Sequence, residues 1–397
     1  MIKIYITLVG ILMLTNFSVQ SQIFSDTKFG KGMVNHVAKD SSWSVKFAPR
    51  VQFLSSTNWD YDGDKFGEAN RSFLIRRARL KFNGFVLTPK LQYKFEFGIS
   101  NRDMAGASKY TGNAPRYILD AVMKWNFYEN FVLWFGQAKL PGNRERVISS
   151  ANLQLVDRSL LNARFNIDRD LGIQLRHHFN ISDRFIIREI FSIAQGEGRN
   201  VVTGNLGGYQ YTGRLEFLPF GKFKNKGDYL GSSLERESKP KLAMGISYDF
   251  NNNAVKNLSN RGIYMENDIG LYETDISTLF VDAILKYKGF SFMAEYSKRE
   301  AKDPIAKNSD GSETGIVVQE GNGVNLQSGY LFPKNWELTG RFSVIDLKNK
   351  DKNNQYTLGV SKYIVGHKLK IQSDLSYLTL ENIGDQLMFR LQFEIHF

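Results

Sequence analysis

The last nine residues of the chain, 389–397, alternate strictly between apolar and polar side chains. The apolar positions are Phe389, Leu391, Phe393, Ile395 and Phe397. Because successive side chains of a β-strand point to opposite faces, this segment predicts a strand with one hydrocarbon face and one polar face. Such a strand needs an apolar environment along one whole side, which the core of a sandwich or a lipid bilayer can provide.

The same alternation recurs along the whole chain, as in segment 90–100 and segment 335–346. Aromatic residues make up 13% of the sequence and only 8 residues are proline, a composition that favours strands. After residue 14 there is no apolar run long enough for a membrane-spanning helix. We predict sixteen strands, at 43–55, 72–87, 90–100, 117–128, 130–139, 170–179, 183–194, 209–219, 239–250, 278–288, 289–298, 322–332, 335–346, 354–364, 367–377 and 387–397.

Short turns and long polar connections alternate between these strands. Turns such as 88–89 and 288–289 alternate with segments as long as 140–169 and 251–277. Short turns on one rim and long loops on the other are typical of an outer-membrane barrel, and closure also removes the two edges that an open sheet would expose. We therefore predict an all-β fold, a transmembrane antiparallel β-barrel of about sixteen strands over residues 43–397. Segment 220–238 is long where a short turn is due, so either a strand is misplaced there or this connection is expanded.

The first 21 residues have the features of a cleavable secretory signal. Lys3 supplies the positive start, residues 4–14 the apolar region, and Val19 and Ser21 the small residues before a cut at Gln22. Residues 22–42 then form an N-terminal segment before the barrel. The chain has no cysteine, so we expect neither a lipid anchor on cysteine nor disulfides. Export combined with a barrel predicts the outer membrane of a Gram-negative cell.

The formal net charge of the chain is +12. Such an excess can bind nucleic acid, anionic membrane surfaces or small anions, and an exported protein is not expected to meet nucleic acid. In a barrel the charged strand face must be the lumen, because a lysine or arginine facing lipid costs about 2–4 kcal/mol at the midplane. The basic residues on this face include Arg77, Arg79, Lys81, Lys94, Lys124, Arg176 and Arg214.

The stretch from Trp134 to Glu145 resembles the Gly-Gln-x-Lys-x-Pro-x-x-Arg-Glu segment of the phosphate-selective porin family (porins O and P). Similar pieces follow in family order and cover nearly the whole mature chain: 76–80, 157–160, 169–174, 213–221 and 227–229. The resemblance implies a homotrimer of sixteen-stranded barrels with a long loop folded into each pore. It also accounts for an expanded connection at 220–238.

By composition, segment 140–169 could equally be a solvated surface loop; the resemblance favours a loop folded inward as a constriction. Guanidinium groups suit phosphate-like oxyanions, and hydroxyl groups can add further donors. The expected anion pathway consists of Lys139, Arg144, Arg146, Arg158 and Arg164 with the donors Ser149, Ser150 and Ser159, joined by Arg77, Arg79, Lys81, Lys94, Arg176 and Arg214 on the strands. We expect Arg144 and Lys139 to influence anion preference far more than Lys226 of the 220–238 connection.

The predicted function is a porin that lets small hydrophilic solutes diffuse passively, with a preference for anions such as phosphate. A pore needs no catalytic group, cofactor or metal. The expected partners are outer-membrane lipid, small anions and the barrel-insertion machinery, for which the terminal Phe397 resembles the recognition signal. The alternatives are a non-selective porin or structural barrel that binds partners, an outer-membrane hydrolase using Ser182 and His178, and a soluble secreted β-protein.

Overall fold

The computed structural model describes residues 28–348, 352–380 and 384–397. The predicted signal, residues 1–21, and the first part of the N-terminal segment lie outside these residues. The fold is a closed barrel of sixteen antiparallel strands, each paired with its neighbour in the chain. Strand sixteen pairs with strand one, with Phe393 opposite Phe53, and this pairing closes the barrel.

The barrel strands follow one another in chain order. They are β1 Arg50–Tyr61, β2 Asn70–Val86, β3 Thr88–Gly98, β4 Ile118–Tyr128, β5 Phe131–Lys139, β6 Arg169–Asn180, β7 Ile186–Ala194, β8 Gln210–Leu218, β9 Lys241–Ala254, β10 Thr274–Tyr287, β11 Phe290–Ala301, β12 Gly321–Leu331, β13 Trp336–Leu347, β14 Asn353–Val365, β15 Leu369–Leu380 and β16 Gly384–His396.

The two faces of the wall differ as the alternation predicts. On β16, Phe389 and Phe393 point outward and are 40% and 44% exposed, whereas Gln392 and Glu394 point inward and are 1% and 0% exposed. An apolar outer surface and a polar interior match a barrel surrounded by lipid. The alternating sequence therefore places hydrocarbon on the outside and hydrogen-bonding groups in the lumen.

All sixteen predicted strands are present, and the first one differs in extent. Segment 43–55 was expected to be continuous, but it contains the short strand Ser44–Phe47 and the start of β1, separated at Ala48 and Pro49. Proline has no backbone N–H to donate to a ladder, so the strand is interrupted there. Ser44–Phe47 pairs with Val34–Val37 in an N-terminal hairpin and also with the end of β2.

The two rims have different connections. One rim has short turns, including the 3₁₀ turn Pro333–Asn335, together with the N-terminal hairpin and the C-terminus. The other rim has long loops that contain the helix Asn101–Met104, the 3₁₀ turn Lys109–Thr111 and two small hairpins, Glu266–Asn267 with Gly270–Leu271 and Ile305–Lys307 with Glu313–Val317. No helix in the described ranges is long and apolar enough to span a membrane.

Two connections fold into the lumen. Residues 140–168, here called the inner loop, contain the helices Arg144–Val147 and Leu160–Phe165 and the 3₁₀ turn Ser150–Asn152. Residues 219–240, here called the return segment, contain the 3₁₀ turn Lys224–Tyr229 and enter from the short-turn rim. The return segment is an expanded connection between correctly assigned strands, because β8 and β9 pair directly with Phe217 opposite Met244.

Candidate functional site

The inner loop crosses the lumen and is held by buried ion pairs. Arg144, which has no exposed surface, donates from Nε to Asp282 at 2.8 Å and from Nη2 to Glu216 at 3.2 Å. The next residue, Glu145, accepts the Ser159 hydroxyl at 2.6 Å, and its backbone N–H donates to Glu295 at 2.7 Å. These contacts join the loop to β8, β10 and β11.

Further anchors continue around the same side of the barrel. The Gln154 amide donates to Ser291 at 2.8 Å and to Glu337 at 2.7 Å, and the backbone N–H of Val156 donates to Asp374 at 3.1 Å. The helix Leu160–Phe165 packs its apolar side chains against β13. The inner loop therefore lies against β8 to β15.

The return segment supports the inner loop from the short-turn rim. The ammonium of Lys286 donates to the carbonyls of Gly227, Leu230 and Ser232 at 2.7–2.8 Å. The backbone N–H of Gly231 in turn donates to the carbonyl of Asn152 in the inner loop at 2.7 Å. Segments inserted from opposite rims thus meet inside the barrel.

A cavity of about 1060 Å³ remains between the inner loop and strands β2 to β7. Its lining extends from Arg199 and Arg261, in loops of the long-loop rim, to Lys226 and Tyr229 in the return segment. Seventeen lysine and arginine side chains line it: Arg76, Arg77, Arg79, Lys94, Arg102, Lys124, Lys139, Arg146, Arg158, Arg164, Arg169, Arg176, Arg188, Arg199, Lys226, Arg261 and Arg390. Among the residues that the structure describes, five carboxylates do so: Glu96, Asp103, Asp120, Asp157 and Asp168. The lining therefore has twelve more basic than acidic side chains.

A sequence model of the family described as phosphate-selective porin O and P matches residues 51–386 of the chain. The chain belongs to this porin family. It is 24% identical, over 388 residues, to an uncharacterized protein of Aquifex aeolicus (strain VF5), an alignment that covers 89% of this chain and 86% of the relative.

Two solved structures show the same fold as this porin. An anion-selective porin from Comamonas acidovorans superposes with a TM-score of 0.53 at 12% identity, over 89% of this chain and all of that one. The outer-membrane channel DcaP of Acinetobacter baumannii gives a TM-score of 0.53 at 12% identity, over 91% of this chain and 99% of that one. Family and fold together identify an outer-membrane porin channel.

Most residues of the expected anion pathway line the cavity of this porin. The cations that do so are Lys139, Arg146, Arg158, Arg164, Arg77, Arg79, Lys94 and Arg176, together with the hydroxyl residues Ser149, Ser150 and Ser159. All three hydroxyls already have protein partners: Ser159 donates to Glu145, Ser150 accepts from Arg50 at 2.6 Å, and Ser149 accepts the backbone N–H of Ala151 at 3.4 Å.

Three expected cations lie elsewhere. Arg144 and Arg214 are buried, and both bind Glu216 and Asp282, so they hold the inner loop and are not part of the cavity lining. Lys81 borders a separate cavity of about 410 Å³, which Lys94 and Lys124 also line. Lys226, which was expected to matter little, lies on the main cavity.

The sequence pattern also missed cations that line the cavity. Strict alternation would point Arg76 and Arg77 to opposite faces, but both bind Asp157, at 2.8 and 3.0 Å. The pairing of β1 with β2 shifts here by one residue, a β-bulge that turns both side chains inward. Arg199 and Arg261 come from loops, and their position depends on how those loops fold.

Four of the five carboxylates in the lining, all except Asp103, form ion pairs with more than one cation. Glu96 pairs with Arg79 at 3.1 Å and Lys94 at 2.9 Å, and Asp157 binds both Arg76 and Arg77. Shared carboxylates orient the cations but leave positive charge uncompensated. The porin therefore presents an ordered row of cations along β2 and β3.

Several cations of the lining, among them Arg158, Arg199 and Arg261, form no ion pair with any carboxylate of the described residues. Arg158 donates to the carbonyls of Glu145 and Ile148 at 2.9 and 2.8 Å, and burial, followed by repulsion from Arg146, holds the pKa of Arg158 well below its usual range. Burial is also the main cause that lowers the pKa of Arg199 and Arg261, each to about 10. An anion that enters the cavity would stabilise the charged form of all three groups.

Proposed function

We propose that this porin is a passive diffusion channel for small hydrophilic solutes that prefers anions, phosphate-like oxyanions among them. The observation that carries the proposal is the cavity lining, with its excess of twelve cationic side chains. The description of the family as phosphate-selective supports the same class of solute. So does the anion selectivity named for the Comamonas porin, although at 12% identity that likeness concerns the fold.

The charges are sufficient for a marked preference. A single cation about 6 Å from a permeating ion, at an effective dielectric constant of about 40, contributes about 1.4 kcal/mol, or about tenfold in partitioning. Guanidinium groups also offer paired N–H donors that match the oxygens of phosphate. The five carboxylates of the lining limit the attraction, which lets a bound anion leave again.

The test is a reversal-potential measurement on the purified porin in planar bilayers, first under a potassium chloride gradient and then with phosphate and pyrophosphate. We expect a reversal potential of the sign for anion preference, and a chloride current that phosphate blocks. A reversal potential near zero would favour a non-selective porin or a structural barrel that binds partners.

We propose that the chain has no hydrolase activity at the Ser182 and His178 pair. The Ser182 hydroxyl accepts the backbone N–H groups of Arg184 and Phe185 within its turn, and the neighbouring His177 contacts Glu189 at 2.9 Å. A hydrolase would need Ser182 in contact with a histidine that a third group orients. Hydrolysis of lipid or peptide that is lost in Ser182→Ala would overturn this proposal.

We propose a homotrimer that the barrel-insertion machinery recognises through Phe397. The backbone N–H of Phe397 donates to the carbonyl of Pro49, and its ring packs edge-on against Phe29 at 5.7 Å. Light scattering of the detergent-solubilised protein should give three chains per particle. Deletion of Phe397 should lower the amount of porin inserted in the outer membrane. An unchanged amount would contradict the proposal that the insertion machinery recognises Phe397.

A further inference from the structure

A large aromatic side chain borders the main cavity on the inner face of the wall, where most positions are polar. Trp134 of β5 lines the cavity, whereas the next residue, Phe135, points outward and is 63% exposed. An indole in a water-filled lumen is stable when charged or polar groups cover its faces. The groups around Trp134 therefore indicate what this part of the cavity can bind.

Two cations lie on the Trp134 ring. The Lys124 ammonium and the Arg176 guanidinium are each 3.9 Å from the ring centre. They come from the strands on either side of β5, and Lys124 is directly opposite Trp134 in the register. Arg176 is fixed further by donating to the Gln174 side chain at 2.8 Å. No carboxylate of the described ranges forms an ion pair with either cation.

The return segment supplies the other side of this region. It contributes Tyr229 and Lys226 to the cavity lining, and the Tyr229 hydroxyl donates to Glu216 at 3.0 Å. The guanidinium of Arg188 lies 5.8 Å from the centre of the Tyr229 ring. This end of the cavity thus has aromatic surface and positive charge on both the wall and the return segment.

We propose, on the basis of the anion channel proposed above, that this end of the cavity is a binding site for anions that carry a planar aromatic or heteroaromatic group. A guanidinium that stacks on one ring can receive a second planar group on its opposite face. In this site Arg176 stacks between Trp134 and the aromatic group of the ligand, and Lys124 and Lys226 bind its anionic group. Inorganic phosphate can use only the charges.

The test compares three blockers of the chloride current through single channels: phenyl phosphate, cyclohexyl phosphate and inorganic phosphate. Phenyl and cyclohexyl phosphate have the same charge and similar size, but only the former has a planar π-system. We expect phenyl phosphate to block at about tenfold lower concentration than cyclohexyl phosphate, because of cation–π stacking. Trp134→Leu should remove this difference and leave block by inorganic phosphate within about twofold of the native value.

The matched control is Trp125→Leu, which removes a tryptophan from the outer face of the adjacent strand and should preserve the difference. If Trp134→Leu does not fold, Trp134→Phe keeps a ring and should retain part of the difference. Equal block by phenyl and cyclohexyl phosphate in the native channel, or an equal weakening of all three blockers in the variant, would overturn the inference. A native channel without anion preference would instead reject the proposed function.

Discussion

The two sides of the lumen use arginine in opposite ways. On the packed side, Arg144 and Arg214 share the carboxylates of Glu216 and Asp282, and Arg144 has no exposed surface. On the open side, seventeen cations meet five carboxylates along a cavity of about 1060 Å³. The difference teaches that an arginine fixes the loop where buried carboxylates or backbone carbonyls surround it, as they do for Arg299, and faces a solute where cations outnumber the carboxylates.

The largest effect is expected from breaking the packed side. Arg144→Met leaves Glu216 and Asp282 short of one buried partner, and removal of one member of a buried ion pair costs about 3–5 kcal/mol. The inner loop should detach, and the single-channel conductance should rise with frequent fluctuations. Lys298→Met, at the exposed Lys298–Glu300 pair, is the control and should behave as the native channel. Unchanged conductance in Arg144→Met would show that the loop does not depend on these pairs.

A smaller effect is expected where the two inserted segments meet. A Cβ at Gly231 would lie 2.7 Å from the backbone nitrogen of Gln154 and 2.8 Å from the carbonyl oxygen of Asn152. Gly231→Ala should therefore cost about 1–3 kcal/mol by overpacking and increase the conductance moderately. The comparison is Gly340→Ala, a site with no atom within 4 Å of an added Cβ. Equal thermal stability of the two variants would show that Gly231 is not packed tightly against Asn152 and Gln154 of the inner loop.

The open side is probed by removing one cation that forms no ion pair with a carboxylate of the described ranges. Arg158→Gln should reduce the anion-to-cation permeability ratio by up to about tenfold, the effect of a single charge close to the ion path. Arg184→Gln, in an exposed turn outside the lumen, should leave the reversal potential unchanged. A similar small shift in both variants would mean that the field of Arg158 does not reach the permeating ion.

The smallest effect, and one of opposite sign, is expected from Asp157→Asn. This change removes the carboxylate shared by Arg76 and Arg77 and should increase phosphate block about two- to fivefold. Asp183→Asn, in the same turn as Arg184, serves as the control. If phosphate block weakened instead, Asp157 would have to be assigned an orienting role that outweighs its charge.

The wall of the barrel could be predicted from the sequence because lipid outside and water inside impose one alternating pattern on every strand. Segments as irregular as 183–194 and 354–364 still form β7 and β14. The rule fails where the backbone departs from regular pleating. The β-bulge at Arg76 adds one residue to β2, and the break at Pro49 divides the first predicted strand.

The interior was harder to predict because its partners are distant in the chain. Arg144 lies 138 positions from Asp282 and 72 from Glu216, and nothing near it in the sequence shows that both carboxylates face it. The same applies to Lys226, because the sequence of a polar segment such as 220–238 has the same pattern whether the segment folds into the lumen or away from it. Residue type and local pattern predict which side chains face the lumen. The role of each cation depends on which carboxylates it meets across the lumen, and the local sequence does not show this.

The anchors of the inner loop have a consequence for biogenesis. The loop follows β5, but the groups that hold it are on strands as late as β15, including Asp374. A nascent barrel that has formed only its first half therefore contains a loop without its binding partners, exposed to proteases on the unfinished assembly. A chain truncated before β9 should be cleaved between residues 140 and 168 by trypsin, while the inserted full-length porin resists. The inner loop thus reaches its final position only when the barrel closes. A defect in the last strands therefore disrupts the constriction of the pore as well as the pairing that closes the wall.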